Sequence, residues 1–188
     1  MNKAQLKDII ESLLLVSSEP LPLSSLKGIL HEFTEEDIRA ALKELQNHYS
    51  AAGKGIQISQ ASGGYFFSTN PGFDEYVKRL LRDEKKSRLS RASLETLSIV
   101  AYHQPITQAE ISAIRGVDAS SSLRTLLHTK LVKIVGRKKS PGNPLIYRTT
   151  KRFLIYFGLD SLDDLPTQEE IEKIIEQNGA NEYKNNKL

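Results

Sequence analysis

The sequence predicts a mainly α-helical fold with small β-hairpins (α+β), arranged as two tandem winged-helix domains. Residues 94–166 show the order helix, helix, helix and then a basic two-stranded wing. A fainter copy of the same order occupies residues 1–81. The apolar content is 39% of 188 residues, below the usual value of about 45–50%. Two small cores fit that content better than one large core.

The first module begins with apolar residues at helical spacing, which predict one buried stripe: Leu6, Ile9, Ile10, Leu13, Leu14 and Val16. A pattern like a capping box at Thr34 starts the third helix of this module. Residues 56–67 alternate as a hairpin around Gly63-Gly64. Residues 73–81 predict a closing helix that packs on the module.

The second module repeats this plan with clearer signals. Its first helix carries the stripe Leu94, Leu97, Val100 and Ala101. A full capping box from Thr107 to Glu110 starts the second helix, and Gly116 ends it as a C-cap. Asp118 is predicted to cap the third helix. The two strands of the wing are predicted over residues 132–135 and 145–147.

The two modules also match residue against residue. Glu11, Leu13 and Val16 correspond to Glu95, Leu97 and Val100 at an offset of 84. Around the prolines that follow the first helices the offset is 85. The pattern favours an internal repeat.

The charged segment RDEKKSR separates the modules and marks the domain boundary. The predicted divisions are an N-terminal winged-helix domain, a linker, a C-terminal winged-helix domain, and a final helix with a disordered tail, over residues 1–81, 82–89, 90–160 and 161–188.

Composition excludes several classes of function. The sequence has no cysteine, so disulfides and thiolate chemistry are excluded. No apolar run approaches the 18 residues of a membrane span, and no secretory signal is predicted. The four histidines form no metal-ligand spacing, and no glycine-rich loop opens a helix. We therefore expect no enzyme activity, no cofactor, no metal and no membrane partner.

The strongest electrostatic feature is the second wing. Residues 132–152 carry seven Lys or Arg and no Asp or Glu, although the net charge of the chain is only +3. Arg137, Lys138 and Lys139 lie at the predicted tip. They indicate either contact with a phosphate backbone or an acidic protein segment, or a solvated tip that protects the sheet edge.

The predicted third helices argue against sequence-specific DNA recognition. The one in the first module begins with Glu35, Glu36 and Asp37, which a polyanion would repel. The one in the second module is close to neutral, with three serines and Arg124. A groove-reading helix normally presents Arg, Lys, Asn or Gln to the bases. A DNA-binding transcriptional regulator is therefore the less favoured, alternative function, whereas weak non-specific DNA contact through Arg137, Lys138 and Lys139 is compatible with these charges.

The first helix carries more apolar residues than one face of a small core needs. A second apolar face indicates self-association. A fully buried central helix is the other interpretation.

The second module strongly resembles the segregation and condensation protein B family, and the first module resembles it more loosely. The segments that carry the resemblance are AYHQPIT at 101–107, IRGVD at 114–118, GRK with PG at 136–142, FGL at 157–159, and SL leading to LP at 161–166. Two positions depart from the usual pattern. His103 and Asn143 each stand where the family commonly has Arg, which weakens any role for fixed charge there.

The resemblance implies a homodimer that binds a bacterial kleisin (segregation and condensation protein A) and, through it, an SMC ATPase. It implies no chemistry of its own, a role in chromosome condensation and partition, and residence in the cytoplasm at the nucleoid. We predict dimerisation through the first helix and kleisin binding through the second module. The residues predicted for dimerisation are Leu6, Ile10, Leu13 and Leu14, and those for kleisin binding are Tyr102, Arg115, Arg137 and Lys138.

Overall fold

A computed structural model describes residues 3–50, 53–81 and 89–174 of the chain. The predicted linker, apart from Leu89, and the predicted disordered tail lie outside the described residues. The two described halves repeat one plan, in which a two-residue strand follows the first helix and a hairpin follows the third.

The first module contains four α-helices and three strands, in the order α1 (Lys3–Val16), β1 (Leu21–Pro22), α2 (Leu23–Ile29), α3 (Glu35–Ser50), β2 (Ile56–Ala61), β3 (Gly64–Thr69) and α4 (Asp74–Leu80). The second contains α5 (Arg91–His103), β4 (Ile106–Thr107), α6 (Gln108–Arg115), α7 (Ser120–His128), β5 (Val132–Arg137), β6 (Leu145–Thr149) and α8 (Lys151–Phe157). A 3-10 turn follows at Leu162–Asp164, and residues 168–174 are helical. The predicted α+β class with two winged-helix units is confirmed.

Each module has a three-stranded antiparallel sheet with the same topology, β1-β3-β2 and β4-β6-β5. The central strand of each sheet is therefore the last strand of its module. The two-residue edge strands β1 and β4 were not predicted as strands, because two residues are too few to show an alternating pattern. They exist because Leu21 pairs with Tyr65 and Ile106 pairs with Tyr147.

Two separate clusters of buried side chains form the cores. In the first, α1, α2 and α3 pack on the hairpin through Leu6, Ile10, Leu14, Leu26, Ile38, Leu42 and Ile58, among others. In the second, α5, α6 and α7 pack on β5, β6 and α8 through Leu97, Val100, Ile111, Leu123, Leu126, Tyr147 and Phe153, among others. Each buried Leu, Ile or Phe contributes about 1.5–3 kcal/mol relative to exposure.

The helix ends follow the local sequence signals. The Thr107 hydroxyl accepts from the backbone N–H of Glu110, and the Glu110 carboxylate accepts from the N–H of Thr107, so the capping box is complete. Gly116 has φ 73° and ends α6 in the left-handed conformation that glycine adopts freely. Asp118, predicted to cap α7, lies one residue before the N-cap, Ala119, and its carboxylate accepts from the backbone N–H of Ser120 at 3.2 Å.

The offset assigned to the first helices is wrong. Val16 is 81% exposed, whereas Val100, its assigned counterpart, is fully buried. Four residues connect α1 with β1, but only two connect α5 with β4. The longer loop ends the first helix earlier relative to the sheet, so Leu14 occupies a buried position near the end of α1.

The predicted closing helix is α4, and its packing on the first module was also predicted wrongly. None of its residues is buried. Tyr76 and Leu80 are exposed. The ion pairs Lys78–Asp74 and Arg79–Glu75 join side chains within α4.

The first module's hairpin turn contacts the second module just after α8. The backbone N–H of Ser62 donates to the carbonyl of Leu159 at 2.8 Å. The Asp160 carboxylate accepts from the Gln60 amide at 2.8 Å and from the N–H of Gly63 at 3.4 Å. We call these three bonds the intermodule clasp.

Candidate protein-binding surfaces

The second wing is a β-hairpin whose tip is tied to the body of its module. A bulge between Ile134 and Gly136 interrupts the pairing of β5 with β6. At the tip, the Arg137 guanidinium donates to the carbonyl of Asn143 at 3.0 Å. The Lys138 ammonium donates to Glu110 of α6 at 2.6 Å. Part of the charge at the tip is therefore already engaged inside the module.

Glu110 is held as a carboxylate by three donors. The Lys138 ammonium has the largest effect, and the backbone N–H and hydroxyl of Thr107 follow, so that together they lower the pKa of Glu110 from 4.5 to about 2. The side chain is 44% exposed, and solvent screens part of this interaction. Glu110 thus connects the start of α6 with the wing tip.

Arg115, predicted to bind the kleisin, has a side chain that is only 7% exposed. Its guanidinium donates to the carbonyl of Asp118 at 3.1 Å and approaches Glu95 of α5 at 3.5 Å. The buried Nε has no hydrogen-bond partner. The geometry makes Arg115 a support for the α6–α7 turn, and its role towards the kleisin stays a prediction.

Tyr102 lies in a different place, at the edge of an apolar groove. The side chain is 46% exposed, and its hydroxyl donates to the carbonyl of Pro166 at 2.8 Å. The groove has a volume of about 290 Å³ and is lined by Leu94, Leu97, Ser98, Ala101, Tyr102, Phe153, Phe157, Leu159, Leu165 and Pro166. Of the four residues predicted to bind the kleisin, only Tyr102 borders this groove.

The groove was not predicted from the sequence. One wall comes from α5, and the other comes from α8 and the segment that follows it, so the two walls are distant along the chain. A signal was present, since FGL at 157–159 and LP at 165–166 carry the family resemblance and line the groove. The aromatic spacing of Phe153 and Phe157, which pack with centroids 4.9 Å apart, was a second signal.

Three of the four residues predicted for dimerisation are buried in the core of their own module: Leu6, Ile10 and Leu14. Leu13 is partly buried against the same core. The apolar face that α1 leaves open lies at its end, where Leu15 is 75% exposed and Val16 is 81% exposed. The interpretation of α1 as a fully buried helix is therefore wrong.

Beside Leu15, the first module has a shallow pocket of about 180 Å³ bordered by α1, α3 and the hairpin. Across it, the Tyr49 hydroxyl donates to the carboxylate of Glu11. This hydrogen bond, followed by burial and by the negative charge of Glu11, raises the pKa of Tyr49 to about 12. Tyr49 also packs edge-on against Phe67 at 5.1 Å.

In the described part of the chain, no three His, Cys, Asp or Glu side chains are grouped so as to hold a metal ion. None of the helices described over residues 3–174 has the length and apolar character needed to cross a membrane.

Comparison with known proteins identifies relatives over nearly the whole chain. The family model "Segregation and condensation complex subunit ScpB" matches residues 8–168. "Segregation and condensation protein B" of Symbiobacterium thermophilum is 45% identical over 163 residues, which cover 87% of this chain and 74% of that protein. Its namesake in Syntrophotalea carbinolica is 41% identical over 177 residues, covering 94% of this chain and 89% of the relative.

Solved structures show the same relationship by sequence. ScpB from Mycobacterium tuberculosis is 34% identical and covers 85% of this chain and 98% of that chain, with a TM-score of 0.42. A dimer of the ScpB N-terminal domain complexed with ScpA peptide is 31% identical and covers 39% of this chain and 84% of that chain, with a TM-score of 0.37. The family match and the identity to full-length relatives show that the chain belongs to the ScpB family of segregation and condensation complex subunits.

Proposed function

We propose that this chain is a non-enzymatic accessory subunit of a bacterial condensin-like SMC–kleisin complex, acting in chromosome condensation and partition during cell division. The observation that carries this proposal is the family match over residues 8–168, supported by relatives that are 41–45% identical over most of the chain. The family's description as a complex subunit favours a binding role over catalysis.

In this proposal the chain forms a homodimer and binds the kleisin, segregation and condensation protein A. Through the kleisin it associates with the SMC ATPase, and it stabilises or regulates the association of the kleisin with the SMC heads. It works in the cytoplasm at the nucleoid. A related ScpB N-terminal domain solved as a dimer with a ScpA peptide supports the homodimer and the kleisin partner, and it favours a kleisin contact on the first module as well.

For the kleisin we propose the apolar groove as the anchoring surface, with Tyr102 as its exposed aromatic residue. Half-exposed tyrosines beside apolar pockets are typical of interface hot spots, because the ring buries a large area and the hydroxyl keeps a polar partner. Arg137 and Lys138 at the wing tip remain predicted contacts. Arg115 supports the module from inside.

Kleisin binding is tested by co-purification with the cognate ScpA and by titration calorimetry. We expect Tyr102→Ala to weaken binding at least about tenfold, the range of interface hot spots. Tyr102→Phe loses only the bond to Pro166 and should bind nearly as well as the wild type. Tyr156→Ala is the matched control, since Tyr156 is 59% exposed on α8 and does not line the groove. Equal affinities for Tyr102→Ala and Tyr156→Ala would remove the groove from the proposal.

The homodimer is tested by light scattering at micromolar concentration. Substituting Leu6, Ile10 or Leu14 would damage the core, so the informative change is Leu15→Asp on the exposed end of α1. We expect that variant to become monomeric while Ala40→Asp, at an exposed position of α3, stays dimeric. A monomeric wild-type chain would reject the dimer itself.

A further inference from the structure

A long acid-free stretch surrounds the second wing. From residue 119 to residue 159 the chain has nine Lys or Arg and no Asp or Glu. The stretch contains α7, both strands of the wing and α8. Any acidic partner for these cations must come from elsewhere in the fold or from another molecule.

Five of these cations lie together where β5 begins and β6 ends. Lys133 and Arg148 are directly opposite each other in the antiparallel register. The Thr150 hydroxyl donates to the carbonyl of Lys130 at 2.7 Å, which places Lys130 beside the start of α8. Lys151 and Arg152 form the first turn of α8. We call the five residues Lys130, Lys133, Arg148, Lys151 and Arg152 the basal patch.

The basal patch is exposed and lacks acidic partners. Within residues 3–50, 53–81 and 89–174, none of its five side chains makes an ion pair or a hydrogen bond. Basic residues elsewhere are commonly paired with a carboxylate, as in Lys7–Glu44, Arg39–Glu35, Lys78–Asp74, Arg91–Glu95 and Lys138–Glu110. The unpaired charge is therefore concentrated at the base of the wing, and the tip is partly neutralised.

The Lys133–Arg148 pair makes this concentration costly. Like charges directly opposite in an antiparallel pair destabilise a sheet. The register cannot shift to relieve them, because the neighbouring pair, Val132 and Thr149, is buried in the core. A ligand with closely spaced negative charges would turn the repulsion into attraction.

The basal patch continues into a cleft of about 650 Å³ between the modules, which Lys130, Lys151 and Arg152 line. Hydroxyl side chains from both modules line the same cleft, namely Ser18, Ser25, Ser62 and Thr150. Lysine, arginine and hydroxyl groups are the usual protein contacts to phosphate oxygens. One carboxylate, that of Glu19, also lines the cleft, so the balance among these groups is three cations to one anion.

We infer that the basal patch binds the phosphate backbone of double-stranded DNA without reading its sequence. Arg148 lies near the end of β6 and Lys151 at the start of α8, with only Thr149 and Thr150 between them. Duplex DNA carries one negative charge per about 1.7 Å of axis, so it offers closely spaced negative charges to such a cluster. The concentration of cations and hydroxyl groups favours phosphate oxygens as the ligand. Pro20, Leu21, Pro22 and Ile155 also line the cleft, so an acidic protein segment is the competing ligand that the test must distinguish. This inference goes beyond the proposed function and does not depend on kleisin binding.

The test is the salt dependence of binding of a fluorescein-labelled 30-base-pair duplex to the purified full chain. If all five cations meet phosphates, the slope of log K against log salt is about −4.5, and affinity falls about 140-fold between 50 and 150 mM salt. For Lys133→Gln combined with Arg148→Gln the slope should be about −2.7 and the fall about 20-fold. Thermal unfolding of this double variant should be unchanged or higher, which excludes misfolding as the cause.

Two further variants and one competitor complete the design. Arg39→Gln with Lys43→Gln removes the same charge from α3 and should leave the slope unchanged. Arg137→Gln with Lys138→Gln should reduce the slope by less than the basal variant does. A wing-tip variant that reduces it as much as the basal variant, or an α3 variant that does so, would overturn the inference. The inference would also be overturned if poly-glutamate bound as tightly as DNA of equal charge, because the ligand would then be an acidic protein. Kleisin affinity of the basal variant, measured in parallel, should not change.

Discussion

Glu110 offers the most direct test of how the second wing is held to its module. One oxygen of its carboxylate accepts the N–H and the hydroxyl of Thr107, each at 2.8 Å, and the other accepts Lys138 at 2.6 Å. The change Glu110→Gln keeps the size of the side chain and removes its charge. It weakens the cap of α6 and the attachment of the wing tip together.

These contacts determine how much stability Glu110→Gln should lose. A helix cap contributes about 1 kcal/mol, and an exposed ion pair contributes about 0.2–1 kcal/mol. We therefore expect Glu110→Gln to lower the free energy of unfolding by about 1–2 kcal/mol at pH 7. The fall of the pKa from 4.5 to about 2 would correspond to about 3.4 kcal/mol without screening, and the 44% exposure of the side chain accounts for the smaller value.

The lowered pKa of Glu110 determines the direction in which its contribution to stability changes with pH. Because the pKa of Glu110 is lower in the folded state, its contribution is complete above the unfolded pKa near 4.5 and is lost as the pH falls towards 2. Urea unfolding of the wild type and of Glu110→Gln should therefore differ at pH 7 and converge only at about pH 2. Glu170→Gln is a control, since Glu170 caps Thr167 in the same way without a bridging lysine. A difference of the same size at both pH values would refute this reasoning.

Four further substitutions test other contacts. A methyl group at Gly64 would lie 2.8 Å from a backbone atom that precedes β1, so Gly64→Ala should lower the free energy of unfolding in urea by about 1–3 kcal/mol. Gly28 lies in open space on α2, so the control Gly28→Ala should be neutral or stabilise the fold by about 0.5 kcal/mol. Lys133→Thr relieves the repulsion from the arginine opposite and should raise the free energy of unfolding by about 0.2–1 kcal/mol; a loss of stability would contradict the register argument. The raised pKa of Tyr49 means that its bond to Glu11 stabilises the fold below pH 10 and that this contribution is lost as the pH rises through about 12. Ultraviolet titration should show one phenol whose pKa moves back towards 10 in Glu11→Gln, and identical titration curves would argue against that bond.

Local sequence signals predicted the fold well where one segment decides its own structure. The capping box at Thr107 and the C-cap at Gly116 need only neighbouring residues, and both are present as predicted. The edge strands β1 and β4 and the exposed position of Val16 depend on pairing with a distant strand and on loop length. No short window of sequence contains that information.

At the candidate site, too, the sequence showed what each segment carries but not which distant segments come together. The charge of the wing was visible in the sequence, but its pairing was not, because Glu110 and Lys138 are 28 residues apart. Arg115 belongs to a motif of the family resemblance, and only the fold shows that its side chain is buried against α5 and the α6–α7 turn. The apolar groove joins α5 to α8 and the segment after it, which lie dozens of residues away, so helical periodicity alone marks its residues only as core.

The intermodule clasp gives the two hairpins of the repeat different roles. The turn of the first hairpin is bonded to Leu159 and Asp160 of the other module, whereas the tip of the second hairpin is bonded to Glu110 of its own module. Three hydrogen bonds at about 1 kcal/mol each contribute on the order of 3 kcal/mol to this contact between the modules. A ligand shifts the balance between joined and separated modules only by the difference in its affinity for the two arrangements. A partner that bridges the modules in their present arrangement therefore stabilises the contact, whereas one that binds both arrangements equally well leaves it unchanged.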